Sequence, residues 1–408
     1  MKQNKKASLT FIFITVLVDV IGLSIIIPVI PDLIIKLDGG NLSEASKIGG
    51  LLLFSFAIMQ FFFAPVMGVL SDKFGRKPIL LIALAGLGFD YILHAYAPNL
   101  AWLFAGRLIA GICGASFTVA ASYIADISLP EEKAQNFGLI GAAFGLGFII
   151  GPALGGVAGD VFLELPFYIA ACLSFLNLLY GLIILPESLP KEKRKEISFS
   201  KANPIGSFYL IKKSSVVGYL AIAFFLLYIA GYAVQATWTF HGIYKFEWTK
   251  TMVGYSLGLV GVVVAIVQGM LVKHTVRWFG ENKTIIIGYC SWIIGLLMFA
   301  FVNKSWLLFM AVIPYCLGGI ATPTIQGIIS NQYQDTEQGE LQGAMTSLIS
   351  LTAVIGPVIM TEIFGYFTSE SAPFLFPGAP FAIGACCVAI SFIITRKGLS
   401  IQQKSPSD

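Results

Sequence analysis

Charge is scarce in this chain: Asp, Glu, Lys and Arg make up 12% of its 408 residues, and histidine occurs three times. A soluble domain carries roughly 25% charged residues, so water is not the main solvent of this surface. Ordinary soluble enzymes and nucleic-acid partners are excluded on that ground. The six cysteines (Cys113, Cys172, Cys290, Cys316, Cys386 and Cys387) all fall in apolar stretches without metal-ligand spacing. They are expected as small packing residues, not as disulfides or ligands. His94 and His241 stand at outer helix ends and His274 in a loop, again without ligand spacing. No loop shows a nucleophile–base pair, so no enzyme, no metal and no cofactor is expected. A signal-peptide cleavage pattern is also missing. Met1–Ser8 is a short basic leader, and the apolar run behind it continues too long for an h-region.

What is abundant is apolar length. Hydrophobic residues reach 57%, and the mean hydropathy is +0.83. Twelve segments are long enough to span about 30 Å of hydrocarbon at about 1.5 Å per helical residue. They fall near 9–30, 48–70, 79–97, 101–124, 137–159, 165–185, 216–240, 253–272, 284–302, 305–329, 342–365 and 375–395. An even number of spans puts both termini on one side, so loop charges should alternate. Twenty of the 26 Lys and Arg lie in the termini and the loops after even-numbered spans, and five in the other loops. Arg107, inside the fourth segment, is the remaining one. The excess of Lys and Arg marks the cytoplasmic side, so a multi-pass membrane protein with both termini cytoplasmic is expected.

The one long polar stretch, 186–213, carries Lys191, Lys193, Arg194, Lys195 and Lys201 and divides six spans from six. This predicts an amino-terminal bundle over 1–185, a cytoplasmic linker over 186–213 and a carboxyl-terminal bundle over 214–408. The halves read as copies. Phe74-Gly75 recurs as Phe279-Gly280, Gly114 as Gly319, Gly138 as Gly343 and Gly151-Pro152 as Gly356-Pro357, always 205 residues apart. Such parallel repeats place a substrate site between halves near the midplane.

Charges inside spans cost about 2.5–3.5 kcal/mol each at a helix centre, so each predicts a function or a partner. Asp19, Asp90 and Arg107 are such charges, and 205 residues on stand Phe224, Gly295 and Val312. The amino-terminal half is therefore expected to handle an ion and the other half to serve as substrate wall. Asp90 and Arg107 lie equidistant from the turn at Pro98-Asn99, which predicts similar depth, and Asp19 lies a little deeper. An Arg107 exchanged between Asp19 and Asp90 makes a proton switch: a carboxylate takes up a proton when the guanidinium leaves and returns it when the pair reforms. A permanent structural ion pair is the other reading.

Three further groups of residues stand out. The loop Gly68-Val-Leu-Ser-Asp72-Lys-Phe-Gly75-Arg76-Lys77 joins two spans. Gly68 is expected at a close helix approach, Asp72 at the start of span eleven near Gln342-Gly343, and Arg76 against Asp126, together a cytoplasmic latch. In span five, Gly141, Gly145, Gly147, Gly151, Pro152, Gly155 and Gly156 form a ladder suited to close crossing, with a bend at the proline. Gln235, Trp238, Gln268, Gln326, Asn331, Tyr228, Tyr232 and Trp292 are the candidates for a cavity wall. One-turn aromatic spacing is as readily explained by packing.

The loop Gly68–Lys77, the segments Phe89-Asp90-Tyr91, Gly106-Arg107-Leu-Ile-Ala-Gly and Tyr123-Ile-Ala-Asp126 are joined in order by several others. These are Gly151-Pro-Ala-Leu-Gly-Gly, Phe246-Glu-Trp248 and Gln338-Gly-Glu-Leu-Gln-Gly-Ala. This ordered set resembles the Tet-class tetracycline/proton antiporters of the major facilitator superfamily over nearly the whole chain. The resemblance implies an all-α membrane protein with the superfamily fold, twelve transmembrane helices in two pseudo-symmetric six-helix bundles. It implies drug efflux across a bacterial inner membrane, driven by protons and without a cofactor. The expected partners are a small-molecule substrate, protons and the lipid bilayer, and the expected state is a monomer. Two positions depart from the family pattern: Trp292 stands where an acidic residue is usual, and Val264 where some members have histidine. The proton machinery matches while the substrate chemistry differs, which leaves the exported compound open. An uptake symporter and a lipid or lysolipid translocator of the same fold remain the alternatives.

Overall fold

A backbone in hydrocarbon must satisfy its own hydrogen bonds, and apolar runs of this length do so as helices. The computed structural model describes residues 2–114, 116–128, 133–194, 215–330, 332 and 338–404. Among them, twelve helices are long and apolar enough to cross a membrane. In order these are span 1 (Ser8–Ile25), span 2 (Leu42–Phe74), span 3 (Arg76–Ala95), span 4 (Leu100–Ile127), span 5 (Ile140–Val161) and span 6 (Leu165–Ile184). Span 7 (Ser215–Phe246), span 8 (Lys250–Leu271), span 9 (His274–Phe301), span 10 (Ser305–Ser330), span 11 (Met345–Thr368) and span 12 (Ala379–Ile401) follow.

The twelve match the twelve apolar segments, with ends that shift for identifiable reasons. Span 1 stops at Ile25 rather than near residue 30, because Pro28 cannot continue the hydrogen-bond ladder. A short helix, Ile30–Asp38, restarts with a proline in its first turn, where the missing N–H costs nothing. Span 7 runs past the apolar limit at 240 to Phe246, since His241 and Lys245 do not break a helix. Glu247, at φ 54, turns the chain there. Spans 4 and 10 each interrupt at a glycine, Gly114 and Gly319, 205 residues apart and with nearly equal dihedrals.

The chain forms two compact units. The first comprises Met1–Gly40, Ser55–Asn203 and Trp248–Gly261. Its core buries Phe11, Val20, Leu80, Leu84, Tyr91, Leu103 and Phe167 almost completely. The second comprises Asn41–Phe54, Pro204–Glu247 and Val262–Asp408. Its core holds Phe224, Leu227, Trp238, Phe299, Phe364 and Phe381. A polar seam ties spans 7, 9 and 12: the Tyr289 hydroxyl lies 2.8 Å from Ser391 and 2.7 Å from Thr395, and Ser391 donates to the Ala223 carbonyl. The start of span 2 belongs to this unit, where Ser43 donates to the Thr368 carbonyl at 2.9 Å and Ser46 to that of Thr361 at 3.3 Å. Large apolar side chains such as Ile82, Phe89, Ile183, Ile222, Ile313 and Ile393 point outward, as lipid-facing positions do.

The cysteines depart in part from the packing expectation. Cys113 and Cys316 are buried, but Cys172, Cys290 and Cys386 are exposed, where a small apolar side chain meets lipid at no cost.

Candidate functional site

Span 3 brings Asp90 and His94 onto one face, one helical turn apart. Span 4 returns antiparallel and sets Arg107 against both. The Arg107 Nη2 donates to Asp90 Oδ2 at 2.8 Å, and its Nε donates to His94 Nε2 at 3.2 Å. His94 Nδ1 lies 2.9 Å from the Asp90 carbonyl and the same distance from Asp90 Oδ1. Because guanidinium nitrogens only donate, His94 Nε2 accepts and the imidazole proton sits on Nδ1: the ring is neutral. Asp90 and His94 have no exposed surface, and Arg107 is 6% exposed. The imidazole stacks on Phe167 of span 6, centroids 5.6 Å apart and planes 13° apart. Gly106 makes the approach possible, since a Cβ there would run into the His94 ring and Asp90 Oδ1.

Asp19, 2% exposed on span 1, shares this neighbourhood. Its charge and that of Asp90 both act on Tyr91 and on Cys113. The Tyr91 hydroxyl abuts Gly22, one turn from Asp19, where any Cβ would displace it. The three charged residues singled out in the sequence thus all act on one buried tyrosine, with Arg107 paired to Asp90. At the corresponding positions of the second half, Phe224 and Val312 are fully buried and apolar, and Gly295 packs on the Tyr315 backbone.

At the start of span 3, Arg76 is 7% exposed and reaches two acids. Its Nε donates to Asp126 Oδ2 at 3.1 Å, and its Nη1 lies 2.6 Å from Asp72 Oδ1. The region of Gln342-Gly343 expected to face Asp72 lies outside the residues whose side chains are described. Gly75 adopts φ 104, open to glycine and strained for other residues. Glu187, just past span 6, caps the exposed N–H groups that begin span 3: it accepts from the backbone of Arg76 at 2.9 Å and of Lys77 at 3.3 Å. Ser188 adds a hydrogen bond to Asp126 at 3.0 Å. Gly68 corrects an expectation. A methyl there would meet Thr118 at an ordinary 3.8 Å, so no close approach requires a glycine.

The span 5 ladder presses on two partners. Gly147, Gly151 and Gly155 face Val20, Ser24 and Ile25 of span 1, while Gly156 faces the Lys250 carbonyl that opens span 8. Gly141 and Gly145 face open space. Ser24 knits the crossing by donating to the Gly147 carbonyl at 3.2 Å. Beside it, Lys250 Nζ lies 2.7 Å from Asp32 and 4.0 Å from Asp160, whose other oxygen accepts from the Thr251 N–H at 3.0 Å.

The cavity-wall candidates scatter. Trp238 is 2% exposed and packs edge-on to Phe299, ring centroids 4.9 Å apart, as core. Trp292 packs edge-on to Tyr315 and leaves its buried indole N–H without a hydrogen-bond partner among the described residues. Tyr232 fills the space beside Gly356, and Tyr228 packs on Phe224. Gln235 is exposed and Gln326 half-buried. Gln268 is exposed on the π-helical turn Val267–Leu271, an irregularity frequent at functional sites. Asn331 lies outside the described residues.

The family model described as Major Facilitator Superfamily matches residues 12–280 and 275–407. The chain belongs to the major facilitator superfamily. Within it, the chain is 38% identical over 398 residues to the class C tetracycline resistance protein of Escherichia coli, covering 98% of each. It is 36% identical to the class H tetracycline resistance protein of Pasteurella multocida, covering 88% of this chain and 90% of that one. Among solved structures, a human organic anion transporter superposes with a TM-score of 0.70 at 22% identity, over 96% of this chain and 99% of that one. These comparisons agree with twelve helices in two pseudo-symmetric bundles and with a transporter of this superfamily.

Three participants escaped the sequence reading. His94 was legible as the residue four after Asp90, but its place near a helix end drew attention away. Glu187 and Lys250 act on partners far along the chain, and nothing local marks them.

Proposed function

We propose that the chain is a proton-coupled antiporter that exports small lipophilic or amphiphilic compounds, tetracyclines first among those to test, by alternating access. The observation that carries this reading is the buried Asp90–Arg107 pair, 2.8 Å apart and beside Asp19, in a chain so similar to tetracycline resistance proteins. A buried ion pair contributes little to stability compared with apolar packing, so its presence favours a switching role. In the proposed cycle Arg107 moves between Asp90 and Asp19, and the abandoned site takes up a proton. The Arg76–Asp72–Asp126 cluster serves as the cytoplasmic latch, and the crossing of spans 1 and 5 at Gly147, Gly151, Pro152, Gly155 and Gly156 serves as the rigid face on which the motion turns.

The same reading puts both termini in the cytoplasm, takes 1–185 and 214–408 as the two bundles with 186–213 between them, and assigns a monomer driven by the proton gradient without a cofactor. Gln235, Gln268, Gln326, Tyr232 and Trp292 are its substrate-wall candidates, with Gln268 foremost because of the π turn. The test uses purified chain in proteoliposomes with a trapped pH dye, an imposed gradient and added tetracycline or lipophilic cations. Proton movement opposite to substrate is expected. Movement in the same direction identifies a symporter, and flux without protons overturns coupling.

A further inference from the structure

His94 holds one lone pair, and two claimants compete for it. In the structure the Nε2 lone pair accepts the Arg107 Nε–H at 3.2 Å, so it has no room for a proton. The opposite nitrogen already carries its hydrogen and faces Asp90 at 2.9 Å. With Arg107 in place its guanidinium offsets the Asp90 carboxylate, with a neutral ring beside them.

Removal of Arg107 breaks that balance. Asp90, with no exposed surface, is left as an uncompensated buried charge, a state that costs several kcal/mol unless a positive charge or a proton restores neutrality. Two groups compete for that proton. An imidazole ordinarily binds it about 2–3 pH units more readily than a carboxyl. The ring also needs little reorientation: its Nδ1–H bonds the Asp90 backbone carbonyl, and the carboxylate Oδ1, which has no hydrogen-bond partner among the described residues, lies at the same 2.9 Å. The groups facing the ring are few. Span 3 supplies Asp90, span 4 supplies Arg107 and the close backbone of Gly106, and span 6 supplies the apolar face of Phe167, while Asp19 of span 1 is the other acid of this neighbourhood, acting with Asp90 on Tyr91 and Cys113.

We propose that His94 is a proton-carrying residue of the transport cycle: when Arg107 leaves Asp90, the freed Nε2 lone pair takes the incoming proton, and the imidazolium replaces the guanidinium as the partner of Asp90. No bond other than N–H forms. On return, Arg107 reclaims the lone pair and the proton leaves, so guanidinium and proton exclude one another at a single atom. This assignment rests on the proton-coupled reading above and deepens it. It gives the coupling a site at which arginine and proton cannot both be bound.

Two measurements on the full chain decide it. In a variant where His94 is the single histidine (H241Q/H274Q), ¹⁵N-histidine NMR in nanodiscs should report the neutral ring with hydrogen on Nδ1 at pH 8. Adding R107Q should convert the signal to imidazolium by pH 6. A ring that stays neutral from pH 8 to pH 5 in the R107Q background overturns the proposal. In proteoliposomes, His94→Gln keeps an acceptor for Arg107 but cannot take the proton. Its tetracycline-driven proton flux should fall at least tenfold and lose the pH dependence of the parent between pH 5 and 8. An unchanged rate and pH profile in H94Q, with Asp19→Asn inactive, overturns the role of His94 and leaves the antiporter standing. Should the parent itself move no protons with any probe, the antiporter reading fails, and the NMR result still decides whether His94 takes the proton.

Discussion

Gly75 and Gly280 stand 205 residues apart and share a backbone conformation that other residues resist, φ 104 and φ 76. Gly75 stands between spans 2 and 3 and Gly280 makes a kink inside span 9, so the duplication extends to a strained dihedral. Their surroundings differ. A Cβ at Gly280 meets nothing within 4 Å, whereas one at Gly75 would collide with Glu187. Gly280→Ala should therefore cost only the backbone penalty of this glycine-only region, about 1–3 kcal/mol. Gly75→Ala should cost more, and thermal unfolding in detergent should rank the two in that order. Equal shifts would show that the Glu187 contact carries no weight.

Gly106→Ala forces a methyl into His94 and Asp90. Overpacking of this kind costs about 1–3 kcal/mol. Because the displaced groups form the charged cluster, coupled transport should drop by a larger factor than stability suggests. A variant that loses stability yet keeps full coupled flux would count against the cluster.

Asp19→Asn should abolish proton-driven transport while the melting temperature stays near that of the parent. The amide keeps the shape and removes the charge. Retained coupling in proteoliposomes would remove Asp19 from the switch.

The ladder in span 5 and the glycine of the loop make opposite predictions. Gly155→Ala would drive a methyl into the Ile25 carbonyl, and destabilisation of about 1–3 kcal/mol is expected. Gly68→Ala has room and replaces a poor helix former, so stability should hold or rise by about 0.5–1 kcal/mol. Melting curves of the two variants side by side test both.

On the loop between spans 5 and 6, the Lys36 ammonium bonded to Glu164 holds that carboxyl below its usual range. A lowered folded-state value means the pair stabilises above the ordinary carboxylate pKa of about 4.3, and that this contribution fades as pH falls through the lower folded value. Glu164→Gln should thus be less stable than the parent near neutral pH and converge with it in acid. Parallel melting curves from pH 3 to pH 7 provide the check.

Topology was legible because hydropathy and loop charge record the solvent of each segment directly. Asp90 and Arg107 could be paired in advance, since a hairpin with a short turn fixes relative depth by counting residues. Counting could not fix helix rotation or side-chain reach, and so His94 was overlooked although it lies one turn from Asp90. Spans 5 and 8 were beyond sequence reasoning for another cause. Apolar faces suit any apolar neighbour, and the match becomes visible in the backbone approach of Gly156 to Lys250 and of Gly254 to Pro152.

That match bears on how the protein is made. The first unit includes Trp248–Gly261, although its sixth span ends at Ile184. At about 5–20 residues per second, some 4–15 seconds of synthesis separate the two. Through that interval the glycine face of span 5 has no native cover where span 8 will lie, and lipid or an insertase must shield it. The newborn chain is therefore open to proteases and mispairing at that helix, even when the Asp90–Arg107 pair is already in place.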